Sequence, residues 1–251
     1  MAGVSAGSGS GDLALGRVVP IVALDFPDAD TALEMVSRLG DSCRFYKVGS
    51  ELFTAAGPAV VERIRREGCD VFLDLKLHDI PNTVAGAMRR ISSLGVRLAT
   101  VHASGGRAMI EAAVEAAGPD CGVLAVTVLT SLDEASLAET TGTKDYNLGG
   151  AVLRLAGLAA SVGARGVVCS GSEARSVRTR FGEELEILVP GIRLAGDSAG
   201  DQARVVTPDA AARAGANYLV LGRSVTAAAD PRTAMETVRT QLMNVVAPQL
   251  D

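Results

Sequence analysis

Two carboxylates and a lysine lie close together in the run FLDLKLHDIPNT, which spans residues 72–83. Asp74 and Lys76 are two residues apart, so on a β-strand they project from the same face of a sheet. Asp79 follows Lys76 by three residues, in the turn before Pro81. A lysine between carboxylates stays protonated. Lys76 is therefore suited to donate a proton and unsuited to Schiff-base chemistry, which needs a neutral amine.

The elements that must position these groups are short apolar runs that alternate with stretches of helical periodicity. Several runs are apolar on both faces, as buried parallel strands are. The predicted strands are 18–25, 45–49, 71–76, 98–102, 122–128, 166–169, 186–189 and 218–222. The predicted helices lie near 30–39, 57–67, 82–94, 106–117, 149–162, 172–180, 208–214 and 231–246, with Asp28, Asn82, Ser172 and Thr207 as expected caps. Eight such units predict a single-domain (β/α)8 barrel over 17–251, with a doubly wound open sheet as the alternative.

Composition excludes several classes of function. The 251 residues are 48% hydrophobic and 21% charged, as in ordinary globular proteins and unlike disordered ones. A net charge of −5 gives no overall basic field for nucleic acid. Charged residues interrupt every long apolar stretch, so no membrane partner is expected either. An anionic substrate must therefore be held by local basic groups.

Neither the cysteines nor the first residues are expected to take part in catalysis or metal binding. The cysteines are widely and unevenly spaced, with neither a zinc-binding pattern nor a CxxC pair. We therefore predict that they are buried free thiols and that the protein lies in a reducing cytoplasm. These cysteines are Cys43, Cys69, Cys121 and Cys169. Residues 1–16 are rich in Gly, Ser and Ala and lack the pattern of a secretory signal, which predicts a flexible tail.

In (β/α)8 barrels the chemistry lies at the C-terminal ends of the strands. Asp25 and Lys47 end the first two predicted strands, so they can join Asp74 and Lys76 in an alternating row of carboxylates and ammoniums. Charges there are costly unless paired. The row is either a structural salt-bridge network or a site in which a fixed carboxylate repels a substrate carboxylate. The convergence of two lysines and three aspartates favours the second interpretation.

The loops after the last two strands have features of a phosphate site. Gly222 and Arg223 follow the eighth strand and lead toward a short helix, where such barrels commonly bind phosphate. Arginine would add a bidentate contact, although a turn glycine with a solvated arginine is the alternative. The segment 190–208 is long enough to be a lid. It contains Arg193, Gln202 and Arg204, the last expected at the surface.

Other polar features are assigned structural roles. His102 is expected to be a packed, hydrogen-bonded core residue, and His78 an orienting or interface group. Residues 105–107 are interpreted as a turn into a helix. The segment 131–147 is acidic and Thr-rich, and the sequence does not distinguish a lid from a plain insertion.

The run Asp74-x-Lys76-x-x-Asp79, with His78 and the following IPNT, resembles the signature of the orotidine 5′-monophosphate decarboxylase family. The resemblance covers nearly the whole chain after the tail, and the short length and the PGIR segment are similar to the bacterial form. Further blocks that resemble the family, in the same order, lie at 23–25, 45–49, 101–103, 129–131, 189–193, 201–204 and 221–224.

The resemblance implies a carboxy-lyase that makes uridine 5′-monophosphate (UMP) in pyrimidine synthesis, with no metal and no organic cofactor. Lys76 would protonate carbon 6 of the pyrimidine as carbon dioxide leaves. Asp74 would face the leaving carboxylate, and Lys47 and Asp25 would bind the ribose and position the charged row.

The same resemblance implies the other contacts and the assembly. Gln202 and Arg223 would contact phosphate, with Arg193 beside them. The partner subunit of a homodimer would supply Asp79 and Thr83. The remaining implied substrate-binding residues are Thr130 or Ser131 at the base, Pro190 and Gly222.

Two alternatives remain at this stage. Sugar-phosphate decarboxylases and hexulose-phosphate synthases share the Asp-x-Lys-x-x-Asp run and the barrel, but use magnesium. His78, the IPNT run and Lys47 favour the nucleotide enzyme. The other alternative is a silent barrel that only binds a phosphate ligand, against which the intact Asp74, Lys76 and Asp79 argue.

Overall fold

The computed structural model describes residues 18–143, 146–194 and 206–246; the expected tail at 1–16 lies outside them. Eight parallel strands pair in chain order, and the eighth pairs with the first to close a barrel. This confirms the predicted (β/α)8 fold and excludes the open sheet. The strands are β1 (Val19–Ala23), β2 (Phe45–Gly49), β3 (Asp70–Leu77), β4 (Leu98–His102), β5 (Gly122–Val126), β6 (Gly166–Val168), β7 (Glu186–Ile192) and β8 (Tyr218–Leu221).

Every predicted helix is present, with small shifts at the ends. The short helix expected after the eighth strand is α10 (Arg223–Thr226), whereas α2 (Ser50–Ala56) and α6 (Glu134–Thr141) were not predicted. No helix among the described residues is long and apolar enough to cross a membrane. The helices are α1 (Ala29–Leu39), α2 (Ser50–Ala56), α3 (Pro58–Arg66), α4 (Pro81–Ser93), α5 (Arg107–Ala117), α6 (Glu134–Thr141), α7 (Leu148–Ser161), α8 (Gly171–Phe181), α9 (Pro208–Arg213), α10 (Arg223–Thr226) and α11 (Pro231–Val246).

Two of the four predicted helix caps are wrong. Asp28 does cap α1, because its carboxylate accepts the Thr31 backbone N–H at 2.8 Å, and Thr207 stands at the cap position of α9. The α4 helix begins one residue earlier than expected, with Pro81 at its first turn, so Asn82 lies inside the helix. The α8 cap is Ser170 rather than Ser172, and the Glu173 carboxylate accepts the Ser170 backbone N–H at 3.0 Å in a capping box.

The apolar side chains form two layers separated by the sheet. Strand residues alternate between them: Phe72 lies with the cluster inside the barrel, and Leu73 with the cluster between strands and helices. This double burial explains why the strands are apolar on both faces. The inner cluster consists of Ile21, Ala23, Phe45, Phe72, Leu98, Leu124, Val126, Val168, Leu188, Tyr218 and Val220.

The β3 strand is irregular at the residues that carry its charges. Its register against β4 runs Leu73↔Ala99 and then Leu77↔Val101, so three residues of β3 face Thr100 alone. Lys76 within this bulge has φ +50°, the one non-glycine residue with positive φ in the described parts of the chain. Asp74 and Lys76 therefore meet across a bulge, and not by the regular strand alternation that the sequence predicted.

The four cysteines are free and buried, as predicted. Burial raises the pKa of Cys43 and of Cys121 to about 11. These thiols therefore stay protonated at neutral pH and act as small apolar side chains.

Candidate active site

A cavity of about 580 Å³ opens at the C-terminal ends of the strands. The strand ends supply charged groups to one part of it, and the loops after β7 and β8 supply arginines to another. Its walls are Ala23, Asp25, Lys47, Phe72, Asp74, Lys76, Val126, Val128, Leu129, Thr130, Ser131, Val168, Leu188, Pro190, Gly191, Arg193, Val220, Gly222, Arg223 and Thr226.

Two ion pairs form the charged part of the cavity. Lys47 Nζ lies 2.7 Å from Asp25 Oδ1, and Lys76 Nζ lies 2.7 Å from Asp74 Oδ2. The side chains of Lys47 and Asp74 are only 11% and 12% exposed, whereas Lys76 is 36% exposed and can reach a ligand. Each pair joins one of the predicted carboxylates to one of the predicted ammoniums.

Gly49, at the end of β2, makes room for this row. It pairs with Asp74 across the β2–β3 ladder. A Cβ at Gly49 would lie 2.9 Å from Lys47 Nζ and 3.2 Å from Asp25 Oδ1. The absent side chain thus leaves the space that the Lys47–Asp25 pair occupies.

Thr100, on β4, joins the backbone and the charge of the bulge. Its Oγ1 accepts the Lys76 backbone N–H at 2.9 Å and donates to Asp74 Oδ1 at 2.9 Å. Thr100 is fully buried and does not line the cavity. The sequence pattern does not distinguish Thr100, since ordinary strands also contain a threonine within an apolar run. The sequence feature that could have identified it is a polar residue that points into the barrel from β4, next to the strand that carries Asp74 and Lys76.

Arginines and small residues line the other end of the cavity. Arg223 begins α10 directly after Gly222, and Arg193 follows β7. The Arg193 backbone N–H donates to Val206 O at 3.0 Å, which joins the two described ends of the long segment after β7. Gln202 and Arg204 lie in the part of that segment that is outside the described residues.

Thr130 and Ser131 both line the cavity, beside an apolar wall that was not predicted from the sequence. The wall includes Val126, Val168 and Leu188 from the inner layer. It was missed because these residues look like plain core in the sequence. A cavity with two ion pairs, hydroxyl groups and an apolar wall can hold a planar, partly polar ring.

Among the described residues, Asp79 and Thr83 are the predicted site residues that do not line this cavity. Both are exposed, and Asp79 Oδ1 accepts the Ile80 backbone N–H at 2.6 Å. Ile80 beside it is 67% exposed, one of few large apolar side chains in the described residues that solvent reaches. Within one chain, these residues are separate from the charged row.

The two histidines pack against each other outside the cavity lining. Their ring centroids are 5.3 Å apart. Burial, and then the nearby His78 and Lys76, lower the pKa of His102. His102 is thus held as a neutral ring; it packs against His78 but is only half-buried, so it is not the core residue that the sequence predicts. Among the described residues, no three His, Cys, Asp or Glu side chains are grouped so as to hold a metal ion.

Comparisons with known proteins place most of the chain in a single family. Residues 19–238 match the model of the family described as "Orotidine 5'-phosphate decarboxylase / HUMPS family". A protein of Halorhodospira halophila named orotidine 5′-phosphate decarboxylase is 50% identical over 229 residues, 88% of this chain and 94% of that protein. One of the same name from Thermobifida fusca is 50% identical over 90% of this chain and 96% of its own length.

The fold comparison extends the match to solved structures. The crystal structure of orotidine 5′-phosphate decarboxylase from Lactobacillus acidophilus has a TM-score of 0.79 and 37% identity, covering 90% of this chain and 99% of that one. The structure of the protein of that name from Pyrococcus horikoshii has a TM-score of 0.73 at 25% identity.

Proposed function

The chain belongs to the orotidine 5′-phosphate decarboxylase / HUMPS family, and on that premise we propose that it decarboxylates orotidine 5′-monophosphate to UMP, the last step of UMP synthesis. The observation that carries the proposal is the Lys76–Asp74 ion pair, 2.7 Å long, at the wall of the cavity. It places a proton donor and a fixed negative charge side by side.

The proposed step breaks the bond between carbon 6 and the carboxylate. The electron pair of that bond stays on carbon 6, and the Lys76 ammonium donates a proton to it as carbon dioxide leaves. Solvent then reprotonates Lys76. Asp74 lies beside the substrate carboxylate, so its charge opposes the bound reactant more than the transition state, from which the carboxylate charge is departing. Because these charged groups are preorganised, no free energy of reorganisation is added to the barrier during the reaction.

The rest of the cavity is proposed to hold the nucleotide. Lys47 and Asp25, paired at 2.7 Å, bind the ribose hydroxyls and hold the charged row in place. Thr130 or Ser131 contacts the base beside the apolar wall. The phosphate-binding residues are proposed to be Arg193, Gln202 and Arg223, with Pro190 and Gly222 shaping that end.

We further propose that a homodimer completes the site. Asp79 and Thr83 lie exposed after β3 and at the start of α4, outside their own chain's cavity. In a two-fold dimer each chain can give these residues to its partner, so two complete sites form together. Asp79 would then end the alternating row beyond Lys76.

The activity is tested with purified protein treated with a chelator, by following the loss of orotidine 5′-monophosphate absorbance. Turnover that persists supports the proposal. Loss of turnover with chelator, restored by magnesium, would favour the related sugar-phosphate lyases. Binding of the nucleotide without turnover would indicate a catalytically inactive barrel that only binds a phosphate ligand.

A further inference from the structure

We infer that Thr100 is a positioning residue for the proposed decarboxylation, because its hydroxyl joins the backbone of Lys76 to the carboxylate of Asp74. The inference rests on the proposed function and adds a residue to its machinery. Thr100 is fully buried and outside the cavity lining, so it acts through its two neighbours and does not touch the substrate.

The direction of both hydrogen bonds follows from their chemistry. The Lys76 backbone N–H can only donate, so Thr100 Oγ1 accepts it at 2.9 Å. The single hydroxyl proton is then donated to Asp74 Oδ1, also at 2.9 Å. The Thr100 hydroxyl therefore accepts a hydrogen bond from Lys76 and donates one to Asp74, the two residues that carry the proposed reaction.

The hydrogen bond from the Lys76 N–H to Thr100 stabilises an unfavourable backbone conformation of Lys76. Lys76 has φ +50°, a left-handed conformation that side chains disfavour, within the bulge that faces Thr100. In this bulge the Lys76 N–H is bonded by the Thr100 hydroxyl, where a regular ladder would use a backbone carbonyl of the neighbouring strand. Strained conformations persist only where the surroundings hold them, and they concentrate at functional sites.

The second bond fixes the orientation of the carboxylate. Asp74 Oδ2 faces Lys76 Nζ at 2.7 Å, and Oδ1 faces Thr100 at 2.9 Å. With a partner on each oxygen, the carboxylate plane cannot rotate without breaking a contact. Small displacements of catalytic groups are costly in rate, so this orientation matters for a charge that must oppose the substrate carboxylate.

The test compares Thr100→Val, which keeps the shape and removes the hydroxyl, with Thr100→Ser, which keeps the hydroxyl. The matched control is Thr127→Val, because Thr127 is also buried and donates to a backbone carbonyl, Val168 O, at 2.9 Å. For each protein, kcat and KM for orotidine 5′-monophosphate, the Kd for UMP, and the Tm are measured.

We expect Thr100→Val to lower kcat about tenfold to a hundredfold. The Kd for UMP, which lacks the carboxylate at carbon 6, should stay nearly unchanged. Thr100→Ser should recover most of the kcat, and Thr127→Val should leave kcat near the wild-type value. If Thr100→Val does not fold, Thr100→Cys, whose thiol is a weak donor and acceptor, should show the kcat loss in reduced form.

Three results would overturn the inference. One is a folded Thr100→Val or Thr100→Cys enzyme with wild-type kcat. Another is an equal loss of kcat in Thr127→Val, which would indicate a general packing effect. The third is a loss that Thr100→Ser does not reduce. A wild-type protein without turnover would instead overturn the proposed function itself, and this inference with it.

Discussion

Lys76 combines the charge that decarboxylation needs with a backbone conformation that few side chains adopt. Its ammonium is paired with Asp74, and its φ is +50°. A non-glycine residue in this region costs about 1–3 kcal/mol. The surrounding contacts, including Thr100, must supply that free energy. At the residue scale, the strain and the proposed chemistry therefore coincide.

Replacing Lys76 tests its proposed role as proton donor. Lys76→Ala should keep the fold and lower kcat by on the order of 10³-fold or more, because both proton donation and charge stabilisation are lost. The measurement is kcat on orotidine 5′-monophosphate, with the Tm as the check on folding. A near-normal kcat in folded Lys76→Ala protein would remove Lys76 from the mechanism.

Replacing Arg223 tests the phosphate end of the cavity. Arg223→Ala should raise the free energy of substrate binding by about 1–3 kcal/mol, the range for a lost charge-assisted hydrogen bond. The loss of kcat/KM should be large on the nucleotide and small on the phosphate-free nucleoside. Arg154→Ala, which removes the same charge from an exposed position on α7, is the control. Equal losses on nucleotide and nucleoside would argue against a phosphate role.

At the element scale, the sequence predicted the barrel because several strands are buried on both faces and leave short apolar runs. It predicted Asp25, Lys47 and Asp74 at the cavity because they end such runs. The bulge in β3 could not be predicted, because the spacing of Asp74 and Lys76 also fits a regular strand in which alternate side chains share a face. The α2 helix was missed because it follows β2 directly, with no polar turn between them.

Gly49 shows how a strand end shapes the site. Gly49→Ala would place a methyl group 2.9 Å from Lys47 Nζ, and both side chains of the Lys47–Asp25 pair have flexible ends that can move away. The variant should fold with a nearly unchanged Tm and show a reduced kcat/KM. Gly149→Ala, where the nearest atom is 3.8 Å away, should leave kcat/KM unchanged. Wild-type kcat/KM in Gly49→Ala would show that the position of this pair is unimportant.

The end of β4 makes stability depend on pH through His102. Its pKa in the folded chain is lowered, chiefly by burial, whereas an unfolded histidine has a pKa of about 6.5. Below that pH the unfolded state binds more protons, so the free energy of unfolding falls as pH falls. Denaturant unfolding between about pH 7.5 and pH 5.5 should show a smaller loss for His102→Gln than for wild type. Equal losses would show that His102 does not contribute.

At the scale of the whole molecule, one chain contains most of the proposed site but not all of it. Ten of the predicted site residues line the cavity, namely Asp25, Lys47, Asp74, Lys76, Thr130, Ser131, Pro190, Arg193, Gly222 and Arg223. Asp79 and Thr83 lie exposed beside Ile80 instead. A single sequence read as one chain does not show where such residues act, because in the proposed dimer their neighbours would belong to a second copy.

Mixing two inactive variants tests the central claim, that Lys76 of one chain and Asp79 of its partner act in one decarboxylating site. Lys76→Ala and Asp79→Ala proteins are each assayed alone, then mixed in equal amounts and allowed to exchange subunits. In a mixed dimer, one site carries both substitutions and the other carries neither. With random exchange, activity should rise to about a quarter of the wild-type value. No recovery after subunit exchange has been verified would contradict the claim, as would an active Lys76→Ala or Asp79→Ala protein.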